Sequence, residues 1–233
     1  NNVKLSNISV SKNLKRAKRI IDDKRFNILA AIPKKTLSGY PVLAVLKNKD
    51  YFCWYAAKGR PTGALFKRNA PIELARLLGY YQAEGGKPKL TKRRGRCLSF
   101  TNTKYKIIED FFLLSNSLFK RELWKATIRH NQNFDKNKLS TLTTQLNKLG
   151  IKWISTKAAK RIKEYTIQLW ISNSIIAETL ENLNELTKNY LLTNKNEEVF
   201  KNYFKGYIAG DGSFFVQRDK HGSLHSRMYI FEG

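Results

Sequence analysis

Two stretches of the chain each place one acid where it could do chemistry: LLGYYQAEGG, with Glu84, and FKGYIAGDGS, with Asp211. Laid over each other, they align Gly79 with Gly206, Tyr80 with Tyr207, Ala83 with Gly210, Glu84 with Asp211 and Gly85 with Gly212. Ala75, Gly79 and Ala83 in one copy, and Gly206 and Gly210 in the other, recur at the four-residue spacing that puts side chains on one face of a helix. Two helices stripped of side chains on that face can approach almost backbone to backbone, so these five residues are the expected helix interface. Such packing would bring both helix ends together and set Glu84 beside Asp211. Two carboxylates there face each other and the negative ends of two helix dipoles, an arrangement that calls for a cation. The carboxylates of Glu84 and Asp211, the carbonyls of Ala83 and Gly210, water and a phosphate oxygen are the hard oxygen donors that Mg²⁺ or Mn²⁺ takes. A cation so held would activate a water and stabilise charge on a phosphate, which is phosphodiester hydrolysis. Glycine after each acid is expected in the left-handed cap conformation. One helix ending in acid and glycine usually means only a C-cap; two aligned copies carry the argument.

The elements that must hold these acids follow from periodicity. Pro71 suits the first turn of a helix capped by Asn69 and running to Glu84, and residues 198–211 read as its second copy. After the first copy, KLTKRRGRCLSFTNT reads as a strand hairpin around a basic turn. Residues 104–119 and 138–149 have helical periodicity, with Leu139, Leu142, Leu146 and Leu149 on one face and Gly150 as a cap. A strand resumes at Ile151, and YTIQLWIS alternates with period two. A helix over 173–190 follows, and after the second motif FFVQR and SRMYIF form a second hairpin. The expected order is helix, two strands, helices, two strands, helix. Ahead of it, residues 11–23 suggest a short basic helix, and FNILAAI, YPVLAVLK and YFCWYAA suggest strands between turn signals. The segments are therefore 1–69, a basic accessory region for packing or DNA contact; 70–192, a first repeat; and 193–233, the start of a second. The chain begins at Asn1 without methionine and ends just after a strand-like run, so both ends read as cut from something longer.

Charge names the partner. The 233 residues carry 44 Lys and Arg against 18 Asp and Glu, a net +26 spread along the chain. Such a charge repels itself unless a polyanion neutralises it, so nucleic acid leads and an anionic membrane surface comes second. No apolar run approaches the length of a membrane span and no signal pattern opens the chain, so an intracellular, soluble protein is expected. Cys53 and Cys97 lie in apolar runs as small hydrophobes, and His130, His221 and His225 join them at no zinc spacing.

At the two motifs the sequence resembles the LAGLIDADG homing endonucleases, and LNKLGI and YTIQLWIS resemble that family's middle. The resemblance implies an α+β fold of αββαββα repeats, each supplying a curved antiparallel sheet that saddles the DNA major groove. It implies that the motif helices form the interface and that Glu84 and Asp211 bind the metal and catalyse. Gln82 and Ala209 stand where the motif often has another aspartate, and the second repeat stops at its first hairpin. The activity implied is site-specific, intron-encoded cleavage of double-stranded DNA, by a monomer if the second repeat is complete and otherwise by a dimer or complementing chain. The DNA-contact candidates are Lys87, Lys89, Lys92, Arg93, Arg94, Arg96, Lys152, Lys157, Lys160, Arg161, Lys163, Thr166 and Gln168, then Gln217, Arg218, Lys220 and His221. Lysines suit phosphates, whereas Arg, Gln and Thr on strands suit base edges. A non-cleaving DNA regulator, or a maturase bound to intron RNA, is the alternative. The ends lack intein splice residues.

Overall fold

A computed structural model describes residues 20–22, 24–47, 49–86, 97–119, 124–160, 162–211, 213–218 and 224–229. The fold is α+β; among the described residues there are five α-helices, and the sheets are antiparallel at every pairing but one.

The front of the chain builds two small sheets. β1 (Ile21–Asp22) pairs with β2 (Arg25–Asn27), which pairs in turn with β6 (Asn69–Pro71). FNILAAI is not one strand: Asn27 ends β2, and Ile28–Ala30 turns as a 3₁₀ segment that buries Ile28 and Leu29. β3 (Leu43–Lys47), β4 (Asp50–Ala57) and β5 (Arg60–Lys67) form a three-stranded meander. β5 was not legible as a strand because Pro61 and Gly63 interrupt it; as an edge strand it tolerates both. The expected basic helix over 11–23 lies almost wholly outside the described residues.

The first motif helix, α1, spans Leu74–Glu84. Pro71 lies in β6, so the helix begins a turn later than expected, and Glu73 precedes it with no side-chain cap. β7 (Gly85–Gly86) and β8 (Leu98–Asn102) follow, then α2 (Tyr105–Ser115), β9 (Lys125–His130), α3 (Lys136–Lys148), β10 (Trp153–Ala158), β11 (Tyr165–Ile171) and α4 (Ser174–Thr193). These strands make one sheet in the order β10-β9-β11-β8-β7.

The expected element order misses β9. Lys-Ala-Thr-Ile-Arg-His carries a single large apolar residue, yet the strand sits between β10 and β11 with Ala126, Thr127 and Ile128 all buried. Its place depends on partners distant in sequence, which propensity does not register. β9 and β10 run parallel, and α3 is the crossover that a parallel pair requires.

Leu98, Phe100, Ala126, Ile128, Ile167, Leu169 and Ile171 line the sheet's inner face, against Leu77 of α1, Phe111 and Phe112 of α2 and Leu180 and Leu183 of α4. Phe100 stacks on Phe111 with ring centroids 4.0 Å apart, and Trp124 closes over Phe111, Phe112 and Phe119. Leu142 and Leu146 bury the stripe of α3, and Gly150 takes the positive φ of 91° that lets the chain leave that helix.

The front sheets share this core. Buried residues from Ile20 to Val199 form one cluster, and polar ties reinforce it. The Asn173 amide donates to the Gly63 carbonyl at 3.0 Å, and the Tyr55 and Ser174 hydroxyls lie 2.7 Å apart. Asn173 also accepts from the Ile176 amide as the N-cap of α4, so one side chain starts a helix and anchors a sheet. The second motif helix, α5 (Glu197–Asp211), then leads into a separate hairpin of β12 (Ser213–Arg218) and β13 (Leu224–Tyr229).

Candidate functional site

The site begins with glycine. α1 and α5 make the most extensive contact of any two helices among the described residues. A Cβ carbon added to Gly79 would overlap the Tyr203 carbonyl oxygen and lie 2.7 Å from the Tyr207 amide nitrogen. One added to Gly206 would overlap the Arg76 carbonyl oxygen and lie 2.9 Å from the Tyr80 amide nitrogen. The pattern is reciprocal: each glycine meets the residues three before and one after the other. Such mutual contact is the signature of a local two-fold relation between the helices, here within one chain.

Both helices run the same way along the contact. The position of a Cβ on Gly210 would be 2.6 Å from the Ala83 Cβ and 3.7 Å from the Glu84 Cγ. Glu84 is the last residue of α1 and Asp211 the last of α5, so the two acids leave the same end of the pair from equivalent positions. Ala75 is fully buried on α1. Lys205 is exposed, off the contact that its neighbour Gly206 makes.

Hydrogen bonds fix the pair from outside. Asn184 of α4, buried, donates to the Gln82 side-chain oxygen at 2.7 Å and accepts from the Tyr203 hydroxyl at 3.1 Å, joining α4 to both motif helices. Gln82 therefore serves as an anchor for the helix end. Arg76 and the Tyr80 hydroxyl both reach Asp110 of α2, at 2.7 and 2.9 Å. Burial, reinforced by the bond to the Asp110 carboxylate, raises the Tyr80 phenol well above its usual range. Burial, with the negative charge of Glu185, raises Tyr203 likewise.

The expected left-handed cap at Gly85 is not found. Its φ is −74° and its ψ 129°, an extended conformation that passes directly into β7. Glycine is needed for a different reason: a side chain there would collide with both the Tyr81 carbonyl and the Tyr81 ring. Gly212 lies outside the described residues.

The outer face of the sheet completes the site. Pairing aligns Trp153, Lys125, Trp170 and Ser99 in one row. Ser155, Thr127, Gln168 and Thr101 form the next, and Lys157, Arg129 and Thr166 the third. Thus Lys157, Thr166 and Gln168 share one face, while Lys152 is exposed before β10, and Lys160 and Lys163 are exposed in the connection to β11. The Arg129 guanidinium donates to the Gln168 side-chain oxygen at 3.0 Å, holding both on the face with donors to spare. Lys125 lies 5.8 Å from the Trp153 ring and 5.0 Å from the Trp170 ring, between two indoles. Lys125, Thr127 and Arg129 escaped the sequence reading because β9 did; the signal was their alternation with Ala126 and Ile128. Lys87, Lys89, Lys92, Arg93, Arg94, Arg96, Arg161, Lys220 and His221 lie outside the described residues, and Gln217 and Arg218 are placed in β12 by their backbone.

No family model matches the chain. Over 165 residues, 68% of this chain, it is 27% identical to "Uncharacterized protein MJ1054" of Methanocaldococcus jannaschii. The match spans 15% of that protein's length. No solved structure matches. Geometry and charge are therefore what bear on function. No helix among the described residues is long and apolar enough to cross a membrane.

Of the expected cation donors, the structure brings Ala83 and Gly210 face to face at the ends of the two helices. The last turn of a helix leaves carbonyls without intrahelical partners, and two such turns converge where Ala83 faces Gly210.

Proposed function

We propose that the protein is a site-specific DNA endonuclease of the LAGLIDADG homing type, dependent on Mg²⁺ or Mn²⁺. The observation that carries this reading is the reciprocal glycine contact, which sends Glu84 and Asp211 out of one end of a paired helix unit. Two acids at equivalent positions of a two-fold element match a substrate whose two strands are themselves related by a two-fold axis.

In this reading Glu84, Asp211 and the carbonyls of Ala83 and Gly210 hold the cation. Bound there, the cation supplies a water of lowered pKa and neutralises charge on the scissile phosphate. The chain's own residues hold the duplex. Lys157 and the exposed lysines beside β10 neutralise phosphates, and Arg129, Thr166 and Gln168 present donors and acceptors to base edges. Asn184, through Gln82 and Tyr203, keeps the two helix ends in register.

The test is cleavage of a randomised duplex library with Mg²⁺, reading the cut ends. The expected outcome is cutting at one long, partly asymmetric sequence, abolished by Glu84→Gln or Asp211→Asn while duplex binding persists. Either variant cutting at the wild-type rate overturns the assignment. Binding without cutting by the unaltered chain would favour a non-cleaving regulator or an RNA-bound maturase.

A further inference from the structure

The β3–β5 meander has one buried face and one open face. Ala44, Cys53, Ala64 and Phe66 point into the core. The opposite face follows from the register: Lys47, Asp50 and Lys67 in one row, Val45, Phe52 and Leu65 in the next, Leu43, Trp54 and Gly63 in the third. Leu43 is 45% exposed and Phe52 38%. Phe52 and Trp54 lie 5.4 Å apart between ring centroids at an interplanar angle of 22°, stacked along the strand. Gly63 makes room for them, since a Cβ there would come within 3.0 Å of the Phe52 ring. The result is a flat aromatic shelf with aliphatic shoulders, and nothing in the cleavage reading uses it.

We infer that this face is a stacking platform for the bases of an unpaired single DNA strand. Its rim supplies the charge argument. Lys47, Lys49, Lys58 and Lys67 are all exposed at the borders of the shelf, and Asp50, bonded to Lys67 at 3.4 Å, is the one acid on the face among the described residues. A second copy docking face to face would set these lysines against each other in chains of net +26. A single strand satisfies both features at once: planar bases meet the rings, and phosphates meet the lysines. Duplex DNA keeps its bases stacked inside and offers the rings nothing. The choice of DNA over RNA rests on the function proposed above; the platform does not.

The test measures binding of the full chain, in EDTA and at low salt, to labelled oligothymidine and oligouridine of about 20 nucleotides and to a duplex of the same length. Phe52→Ala and Trp54→Ala should each weaken oligothymidine binding at least about 10-fold, and Trp54→Phe should largely restore it. Duplex affinity should stay within about twofold, because the face that binds duplex is the other sheet. Leu192→Ala, an exposed apolar change on α4 outside both faces, should leave oligothymidine binding unchanged. Equal binding by the alanine variants, parallel loss of duplex binding, or tighter binding of oligouridine would each overturn the inference. So would sedimentation showing a wild-type dimer that Trp54→Ala dissolves. EDTA removes cleavage from the measurement, so failure here and failure of Glu84→Gln to stop cutting are separate results.

Discussion

α1 and α5 share a motif and a two-fold contact, yet their outer surfaces differ. Leu74, Leu77 and Leu78 of α1 are fully buried beneath sheet and helices. The equivalent positions of α5 are Lys201, Phe204 and Lys205, with both lysines exposed, and Phe200 is 53% exposed one turn earlier. Among the described residues α5 is held chiefly by its glycine face, with Val199 buried and Tyr203 tied to Asn184. The same backbone contact therefore works whether or not a sheet covers the helix. The glycines, and not the surrounding core, define the pair.

The largest expected effect breaks the contact itself. Gly79→Val or Gly206→Val would drive a branched side chain into backbone that cannot yield, destabilising the protein by about 3 kcal/mol or more, read by chemical denaturation. Gly210→Ala is milder and can sharpen the two-fold relation, because its methyl group meets a methyl and not backbone. It should cost about 1–2 kcal/mol, and adding Ala83→Gly should recover most of that by returning the missing space. If the double variant is no more stable than Gly210→Ala alone, the two positions are not equivalent.

Next comes the contrast between the outer faces. Leu77→Ala should cost about 2–5 kcal/mol, whereas Phe200→Ala on the exposed side of α5 should shift stability by no more than about 0.5 kcal/mol. Comparable losses at the two sites would mean that α5 is covered as α1 is.

Smallest is a pH effect. The phenols of Tyr80 on α1 and Tyr203 on α5 are both raised by burial above the usual 10.0, and burial pushes the Cys53 thiol up to about 12 from 9.0. A raised pKa means the unfolded chain ionises first, so this stability is fully present below pH 9 and is lost as the pH climbs above it. Thermal unfolding followed from pH 8 upward should fall progressively, and Tyr203→Phe should flatten the upper part of that fall. A profile unchanged by Tyr203→Phe would show that the hydroxyl on α5 is not buried as its partner on α1 is.

The motif spacing, the five helices among the described residues and the alternating strand β11 were legible because each is a local periodicity. Gly79, Gly206 and Gly210 announced a close helix contact for the same reason: a missing side chain four residues from another is visible in one dimension. The sequence misplaced what depends on distant partners. β9 looked like nothing until β10 and β11 flanked it, and with it Lys125, Thr127 and Arg129 were lost from the candidate site. Gly85 looked like a cap because glycine commonly serves there; only the fold showed that the Tyr81 ring leaves no room for a side chain. The stacked Phe52 and Trp54 were ordinary members of an apolar run until Cys53 between them turned inward and left one face of the meander open. Sequence fixes which residues can lie on one face of an element; packing decides which face the core takes, and therefore which side chains are left for a ligand.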